Sequence, residues 1–143
     1  TRYSAFSGRR DVTVDVTFTK PATDYEFTTG IVNVKGSQEL TDKHGLRGCW
    51  GTDWPVALKD SAGHKPETVG LAIYIPEKNI VKELPANQDN YPFVVNTAGT
   101  RSLSYAVNFC SDNESFGYHS AKEWMGYLKE WKKQMESPVT ITF

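Results

Sequence analysis

A segment near the middle of the chain combines the side-chain types that bind sugars. Residues 47–55 contain Arg47, Trp50, Asp53 and Trp54, together with two glycines and a proline. An indole stacks well on the apolar face of a sugar ring, and the arginine and the carboxylate suit hydroxyl groups or a charged substituent. The composition predicts an irregular, functional loop. Both indoles are equally compatible with a buried role as core plugs.

A second group of candidate residues lies just before the predicted C-terminal helix. Residues 116–119 place Phe116, Tyr118 and His119 around a glycine. His44 follows Lys43 shortly before the tryptophan segment, and both could share a cleft with that segment as ligand-binding residues. An exposed loop position is the commoner role for such histidines, and none has metal-ligand spacing to another.

Two kinds of enzyme fit these residues. A polysaccharide lyase removes the proton beside a uronic carboxylate with a Tyr, His or Lys base, while a cation neutralises the acid group. Tyr118 and His119 could supply the base, and Arg47 and Lys43 the cation. A glycoside hydrolase instead needs two carboxylates across the scissile bond. Asp53 could be one of them, and the sequence indicates no clear second among Asp42, Asp60 and Glu67.

A binding module that does not convert its sugar is the alternative hypothesis. Such a module needs a platform of aromatic rings with several amides, for which Trp50, Trp54, Tyr91, Asn87 and Asn90 are candidates. A flat exposed surface with both indoles and no facing ionisable group would favour binding. His119 and Asp53 in one cleft would favour an enzyme.

Composition excludes several other classes. The 143 residues carry a net charge of −1 with no long run of one sign, which argues against a nucleic-acid partner. No apolar run is long enough to cross a membrane. We expect no metal and no cofactor, since the oxygen-rich residues 112–114 are more typical of a solvated turn. Cys49 and Cys110 allow one disulfide, but two buried free thiols are the favoured interpretation.

Alternation of apolar and polar residues predicts a series of strands. Residues 11–19 form a half-buried strand, and residues 25–35 form a second with a bulge at Gly30; the two should be adjacent. Residues 68–75 are apolar on both faces, which predicts a central strand. Further strands are predicted for residues 79–84, 93–97 and 102–110, separated by turn sequences, in a meander.

One helix is predicted over residues 120–136. Ser120 and Glu123 fit a capping box, and apolar residues then recur at spacings of three and four. Residues 139–143 alternate as a closing strand. The fold class is therefore an antiparallel β-sandwich with one C-terminal helix, either a single domain over residues 1–143 or the C-terminal part of a larger one.

The order of motifs resembles a known family. The motifs are the tryptophan segment at 48–55, the strand at 69–76, residues 104–109, Trp124, Tyr127 and Leu128 on the helix, and the strand at 138–141. They look like the C-terminal half of an uncharacterised family of secreted bacterial proteins, often associated with polysaccharide-degrading systems. That family's fold is similar to the galactose-mutarotase-like super-sandwich.

The resemblance implies a protein that is secreted or periplasmic and that binds or processes a glycan, which could be acidic. It also implies a family domain about twice as long as this chain, so the chain would be a fragment. A half-sandwich leaves an open sheet edge and an uncovered apolar face. We therefore expect a companion chain carrying the N-terminal half, a cleaved precursor whose pieces stay together, or a homodimer. A complete small sandwich remains the alternative.

Overall fold

The computed structural model describes residues 1–34, 36–52 and 66–137. Within these ranges the chain is mainly β, with antiparallel sheets in a sandwich-like arrangement and a single C-terminal helix. The elements are β1 (Arg2–Ala5), β2 (Asp11–Thr17), β3 (Phe27–Val32), β4 (Gln38–Thr41), β5 (Leu46–Thr52), β6 (Thr68–Tyr74), β7 (Ile80–Glu83), β8 (Asn90–Val95), β9 (Ser102–Ser111) and α1 (Ala121–Glu136).

The strands form a large and a small sheet. The large sheet has the order β1-β2-β9-β6-β5-β4, and the small sheet has the order β3-β8-β7. The order is not a simple meander, because β9 lies between β2 and β6. The prediction that β2 and β3 are adjacent is wrong, since they belong to different sheets. Gly30 is not in a bulge: β3 pairs with β8 in continuous register, and the irregularity lies between Ile80 and Lys82.

Several sequence predictions are confirmed. The strands β2, β6, β7, β8 and β9 lie within or close to the predicted segments, and β6 is central in the large sheet. The helix begins where the capping box places it, because the Ser120 hydroxyl accepts a hydrogen bond from the Glu123 amide. The strand predicted at residues 139–143 lies outside the described residues.

The large sheet has an apolar core on each side. Facing the small sheet, Cys49 and Ile73 pack with Phe93 and Val95. On the opposite side, Trp124, Leu128 and Trp131 of α1 cover the sheet. Cys49 belongs to the first core and Cys110 to the second, and both thiols are buried and free. The sheet therefore separates the two cysteines, as the interpretation of two free thiols expects.

The tryptophan segment is not a loop over its described part. Residues 46–52 form β5, an interior strand of the large sheet, paired with β4 and β6. Six of its seven residues are buried. Two glycines that suggest a turn in the sequence serve packing instead. A methyl group at Gly48 would lie 2.6 Å from the Cδ1 atom of Leu128, so the missing side chain lets Leu128 of the helix pack closely on the strand.

Arg47, predicted to bind a ligand, is buried and joins the two sheets. Its side chain is 1% exposed. The guanidinium donates to Glu39 Oε1 at 2.8 Å and to the carbonyl oxygens of Leu84 and Pro92 at 2.7 and 3.1 Å. It also lies over the ring of Tyr91, 5.0 Å from the centroid. A guanidinium with these partners is not available to neutralise a substrate acid.

None of the helices formed by the described residues is long and apolar enough to cross a membrane.

Replacing Arg47 with Ala should lower the free energy of unfolding by about 3–5 kcal/mol, because it leaves a cavity between the sheets and deprives two carbonyl groups and the half-exposed Glu39 carboxylate of their donor. Urea denaturation followed by far-UV circular dichroism measures the loss. Arg2→Ala is the control, since Arg2 makes an exposed ion pair with Asp15 and its removal should leave stability close to wild type. Equal effects of the two substitutions would contradict the role given to Arg47.

Candidate functional site

The predicted site residues are distributed over two opposite ends of β5. At one end Leu46 pairs with Tyr74, and Lys43 and His44 lie in the turn that precedes this pair. At the other end Thr52 pairs with Thr68. A strand of this length spans roughly 20 Å. The structure therefore does not bring Lys43 and His44 together with His119, which lies at the Thr68 end.

Lys43 and His44 make surface ion pairs. Lys43 Nζ lies 2.7 Å from Glu83 Oε1, and His44 Nδ1 lies 3.0 Å from Glu77 Oε1. The side chains of Lys43 and His44 are 70% and 64% exposed. Neither lines any of the grooves described below. Ligand binding by these two residues remains a prediction that the geometry does not support.

The same turn is anchored to the C-terminal end of the helix. Asp42 accepts hydrogen bonds from Lys132 Nζ and from the amides of His44 and Leu46. Burial raises the pKa of Asp42, but these hydrogen bonds outweigh the burial and hold its pKa below the ordinary value. The carboxylate is therefore ionised at neutral pH and fixes the turn to α1.

Trp50 is a core residue. It is 9% exposed and packs in the apolar cluster under α1, beside Trp124 and Leu128. Its indole is therefore not a platform for a sugar. Tyr91 is not a platform either, because it is 3% exposed and its hydroxyl lies 2.7 Å from Ser37 Oγ. Trp50 therefore has the buried role that the sequence left open for the tryptophans, and Tyr91 is buried as well.

Trp54 and Asp53 lie outside the described residues, as do His64 and Asp60. The carboxylate pair of a hydrolase that includes Asp53 is therefore an untested hypothesis. Of the other candidate carboxylates, Asp42 accepts the hydrogen bonds that fix the turn to α1, and Glu67 accepts a hydrogen bond from Ser111 at 2.7 Å.

Tyr118 and His119 lie together in one groove. This helix groove has a volume of about 590 Å³ and is lined by Gly117, Tyr118, His119, Glu123, Gly126, Tyr127 and Glu130. The loop before α1 supplies its first three residues and the helix supplies the other four. The capping interaction fixes the two parts relative to each other, because Glu123 Oε2 accepts a hydrogen bond from the His119 amide at 2.9 Å.

The floor of the groove is aromatic. The rings of Tyr118 and Tyr127 are stacked with centroids 4.8 Å apart, and both contact Trp124. Asn108 fixes the position of Tyr127 from below, since its amide nitrogen donates to the Tyr127 hydroxyl at 2.9 Å. Asn108 is 2% exposed and lies on the helix side of β9. The two rings are therefore held rigidly with part of their surface exposed.

His119 presents a defined nitrogen to the groove side of the structure. Its Nδ1 lies 2.8 Å from the backbone oxygen of Asp112. A carbonyl oxygen can only accept, so Nδ1 carries the proton in the neutral ring and Nε2 has the lone pair. The exposed imidazole can therefore accept a hydrogen bond from a ligand hydroxyl, or a proton.

The two phenols of the groove act as protonated groups. Burial raises the pKa of Tyr118, and burial also raises the pKa of Tyr127 above its ordinary value. Deprotonated tyrosine as the base of a lyase would need the opposite shift. None of the described residues that line the groove is Lys or Arg. The lining therefore provides hydrogen-bonding groups, and Arg10, whose guanidinium carbon lies 5.6 Å from the centroid of the Tyr118 ring, is paired with Glu114.

In the ranges that the structure describes, no group of three or more His, Cys, Asp and Glu side chains is arranged to hold a metal ion. The oxygen-rich residues 112–114 form a turn in which Asp112 Oδ1 accepts from the Thr68 amide and Glu114 pairs with Arg10. Their carboxylates are engaged within the protein.

Sequence reasoning missed the helical half of the groove. The capping box accounts for Glu123, and the sequence analysis predicts no function for Gly126, Tyr127 or Glu130. The spacing of 123, 126, 127 and 130 places these residues on one helix face. That face and the residues 117–119 before the helix are the signal that could have indicated a groove.

A model of the family described as "Domain of unknown function (DUF4861)" matches residues 1–141, so the chain belongs to that family. No curated protein matches the chain.

Trp50→Ala should lower the free energy of unfolding by about 3–5 kcal/mol, because it removes a buried indole from the core under the helix. Thermal and urea denaturation measure the change. Tyr25→Ala is a suitable control, since Tyr25 is 64% exposed and its loss should be nearly neutral. A variant at position 50 with unchanged stability would show that the indole is not a core residue.

Proposed function

For this member of the DUF4861 family we propose that the helix groove binds a neutral glycan without converting it. The observation that carries the proposal is Gly126. It lies inside α1 and in the lining of the groove, and a methyl group built there would have no neighbour within 4 Å. An alanine would therefore fit and would favour the helix by about 0.5–1 kcal/mol.

The other glycines next to the helix have a packing reason. A methyl group at Gly70 would lie 2.6 Å from the Trp124 ring, and one at Gly48 would lie 2.6 Å from Leu128. Gly126 has no such neighbour. Its missing side chain leaves open space in the same lining that contains Tyr118 and Tyr127, which supports a role in ligand access.

The chemistry of the groove suits a sugar. Sugar rings offer apolar C–H faces to aromatic side chains and hydroxyl groups to hydrogen-bonding partners. The stacked phenols supply aromatic surface, while Glu123, Glu130 and the Nε2 of His119 supply acceptors. Binding requires little rearrangement of the protein, because the capping interaction already positions Glu123 and His119.

The charge of the groove favours a neutral glycan over an acidic one. Its acidic residues are Glu123 and Glu130, of which Glu130 pairs with Lys133 at 2.7 Å, so the charge of Glu123 disfavours a uronic acid. Of the two cations predicted from the sequence, Arg47 is buried between the sheets and Lys43 pairs with Glu83. We therefore prefer binding to a lyase reaction.

The resemblance seen in the sequence extends the proposal. Proteins similar to this one in their motifs are secreted and associated with polysaccharide-degrading systems, and we propose the same setting and a secreted or periplasmic location here. The sandwich-like arrangement of sheets is compatible with a galactose-mutarotase-like super-sandwich, of which this chain would form a part.

Gly126→Leu should weaken binding of a neutral oligosaccharide by at least roughly tenfold, because the new side chain enters the groove. Its free energy of unfolding should not fall, since leucine favours the helix over glycine. Isothermal titration calorimetry with the neutral glycan selected on a glycan array measures the affinity, and urea denaturation measures the stability.

Gly126→Ala is the matched control. It should raise the free energy of unfolding by about 0.5–1 kcal/mol and retain most of the binding. Failure of the wild-type protein to bind any neutral glycan on the array would refute the proposed function. Unchanged binding by the leucine variant would place the sugar site elsewhere.

A companion chain or a homodimer remains part of the proposal. Tyr3 on the edge strand β1 is 71% exposed, and Phe6 just after it is 62% exposed, which favours a covering partner. Size-exclusion chromatography with light scattering should therefore give a native mass above the 16.1 kDa of the chain. Denaturing mass spectrometry then separates a second polypeptide from a second copy. A single species of the formula mass would exclude both.

A further inference from the structure

A second pocket lies beside the helix groove. This arginine pocket has a volume of about 460 Å³ and is lined by Gly8, Arg9, Arg10, Phe109, Glu114 and Phe116. It shares no residue with the helix groove, but Phe116 directly precedes Gly117, the first residue of that groove. The two concave surfaces are therefore neighbours along one loop.

Arg10 connects the two surfaces. Its guanidinium carbon lies 5.5 Å from the centroid of the Phe116 ring and 5.6 Å from that of Tyr118. The two rings are therefore no more than about 11 Å apart, the sum of those distances, which a short oligosaccharide can span. Arg10 itself is held by an ion pair with Glu114 and by donation to the Phe116 backbone oxygen at 3.2 Å.

The pocket exposes aromatic surface that the fold does not use. Phe116 is 80% exposed and Phe109 is 54% exposed, although an apolar ring in water is costly. The polar wall is preformed: Arg9 makes a two-point contact with Asp11, in which both nitrogen–oxygen distances are 2.9 Å, and its side chain is still 42% exposed. The charges of Arg9 and Arg10 are balanced by Asp11 and Glu114.

We propose that the arginine pocket is a second sugar subsite, with Phe116 as its stacking residue. A neutral oligosaccharide extends from the helix groove past Tyr118 to Phe116, and the guanidinium group of Arg9 donates to hydroxyl groups of the distal sugar. The protein thereby prefers a chain of several sugars to a single unit. This inference rests on the proposed function of the helix groove.

Balanced charge and exposed rings favour a neutral glycan in the arginine pocket over an acidic ligand. The proximity of the pocket to the helix groove favours the same ligand over a protein partner. A partner that covers Phe116 instead would change the native mass of the protein when Phe116 is removed, which the experiment below detects.

The test measures affinity as a function of chain length. Wild type, Phe116→Ala and the control Tyr25→Ala are titrated by calorimetry with disaccharides and hexasaccharides of the cello-, xylo-, manno- and malto-oligosaccharide series. Wild type should bind the hexasaccharide of one series more tightly than its disaccharide. Phe116→Ala should weaken the hexasaccharide roughly three- to tenfold, with disaccharide affinity unchanged, because one stacking contact is lost.

The two proposals fail in different ways. Hexasaccharide binding that is equal in wild type and Phe116→Ala, with binding still blocked by Gly126→Leu, overturns the second subsite and leaves the function of the helix groove in place. Absence of binding by wild type to every series overturns both. A lower native mass of Phe116→Ala on size-exclusion chromatography would assign this ring to a protein interface and would also overturn the subsite.

Discussion

The close approach of α1 to the large sheet is the constraint on which the rest of the structure depends. Gly48 and Gly70 leave room for Leu128 and Trp124, as described above, and the Trp124 indole donates to the Cys49 carbonyl oxygen at 3.1 Å. That hydrogen bond satisfies a buried donor and fixes the rotation of the helix about its axis. A side chain at Gly70 would clash with the rigid Trp124 ring, whereas one at Gly48 would force the Leu128 side chain to shift.

The rotation of the helix determines where the groove lies. With Trp124 and Leu128 turned to the sheet, Tyr127 and Gly126 lie to the side, next to the loop that carries Tyr118 and His119. Tyr127 is then within reach of Asn108, a buried side chain on the sheet. One set of contacts therefore stabilises the core and places the aromatic floor of the groove, so changes in helix packing should reach the site.

The sequence predicts those parts of the fold whose residues follow a simple period. Alternation identified β2, β6 and β9, and the Ser120–Glu123 pair located the start of the helix. The prediction of an irregular loop was wrong at β5. Glycine and tryptophan are typical of functional loops, and their spacing does not show that a helix packs on the glycines. The burial of Arg47 could not be predicted for a related reason. Its charge suggests an exposed ligand-binding residue, but its partners are backbone carbonyls and a carboxylate from other elements, which no local pattern reveals.

For the site, the sequence supplied the loop residues and not the helix residues. Tyr118 and His119 stood out because aromatic and imidazole groups beside a glycine are unusual, whereas Glu123 and Glu130 are ordinary on a solvated helix. Glu123 and Glu130 differ from ordinary surface residues because they line the same groove as Tyr118 and Tyr127, whose phenol pKa values are raised by burial. Protonated phenols can donate hydrogen bonds, and the carboxylates beside them can accept hydrogen bonds. This balance of groups supports the proposal that the groove holds a neutral sugar without converting it.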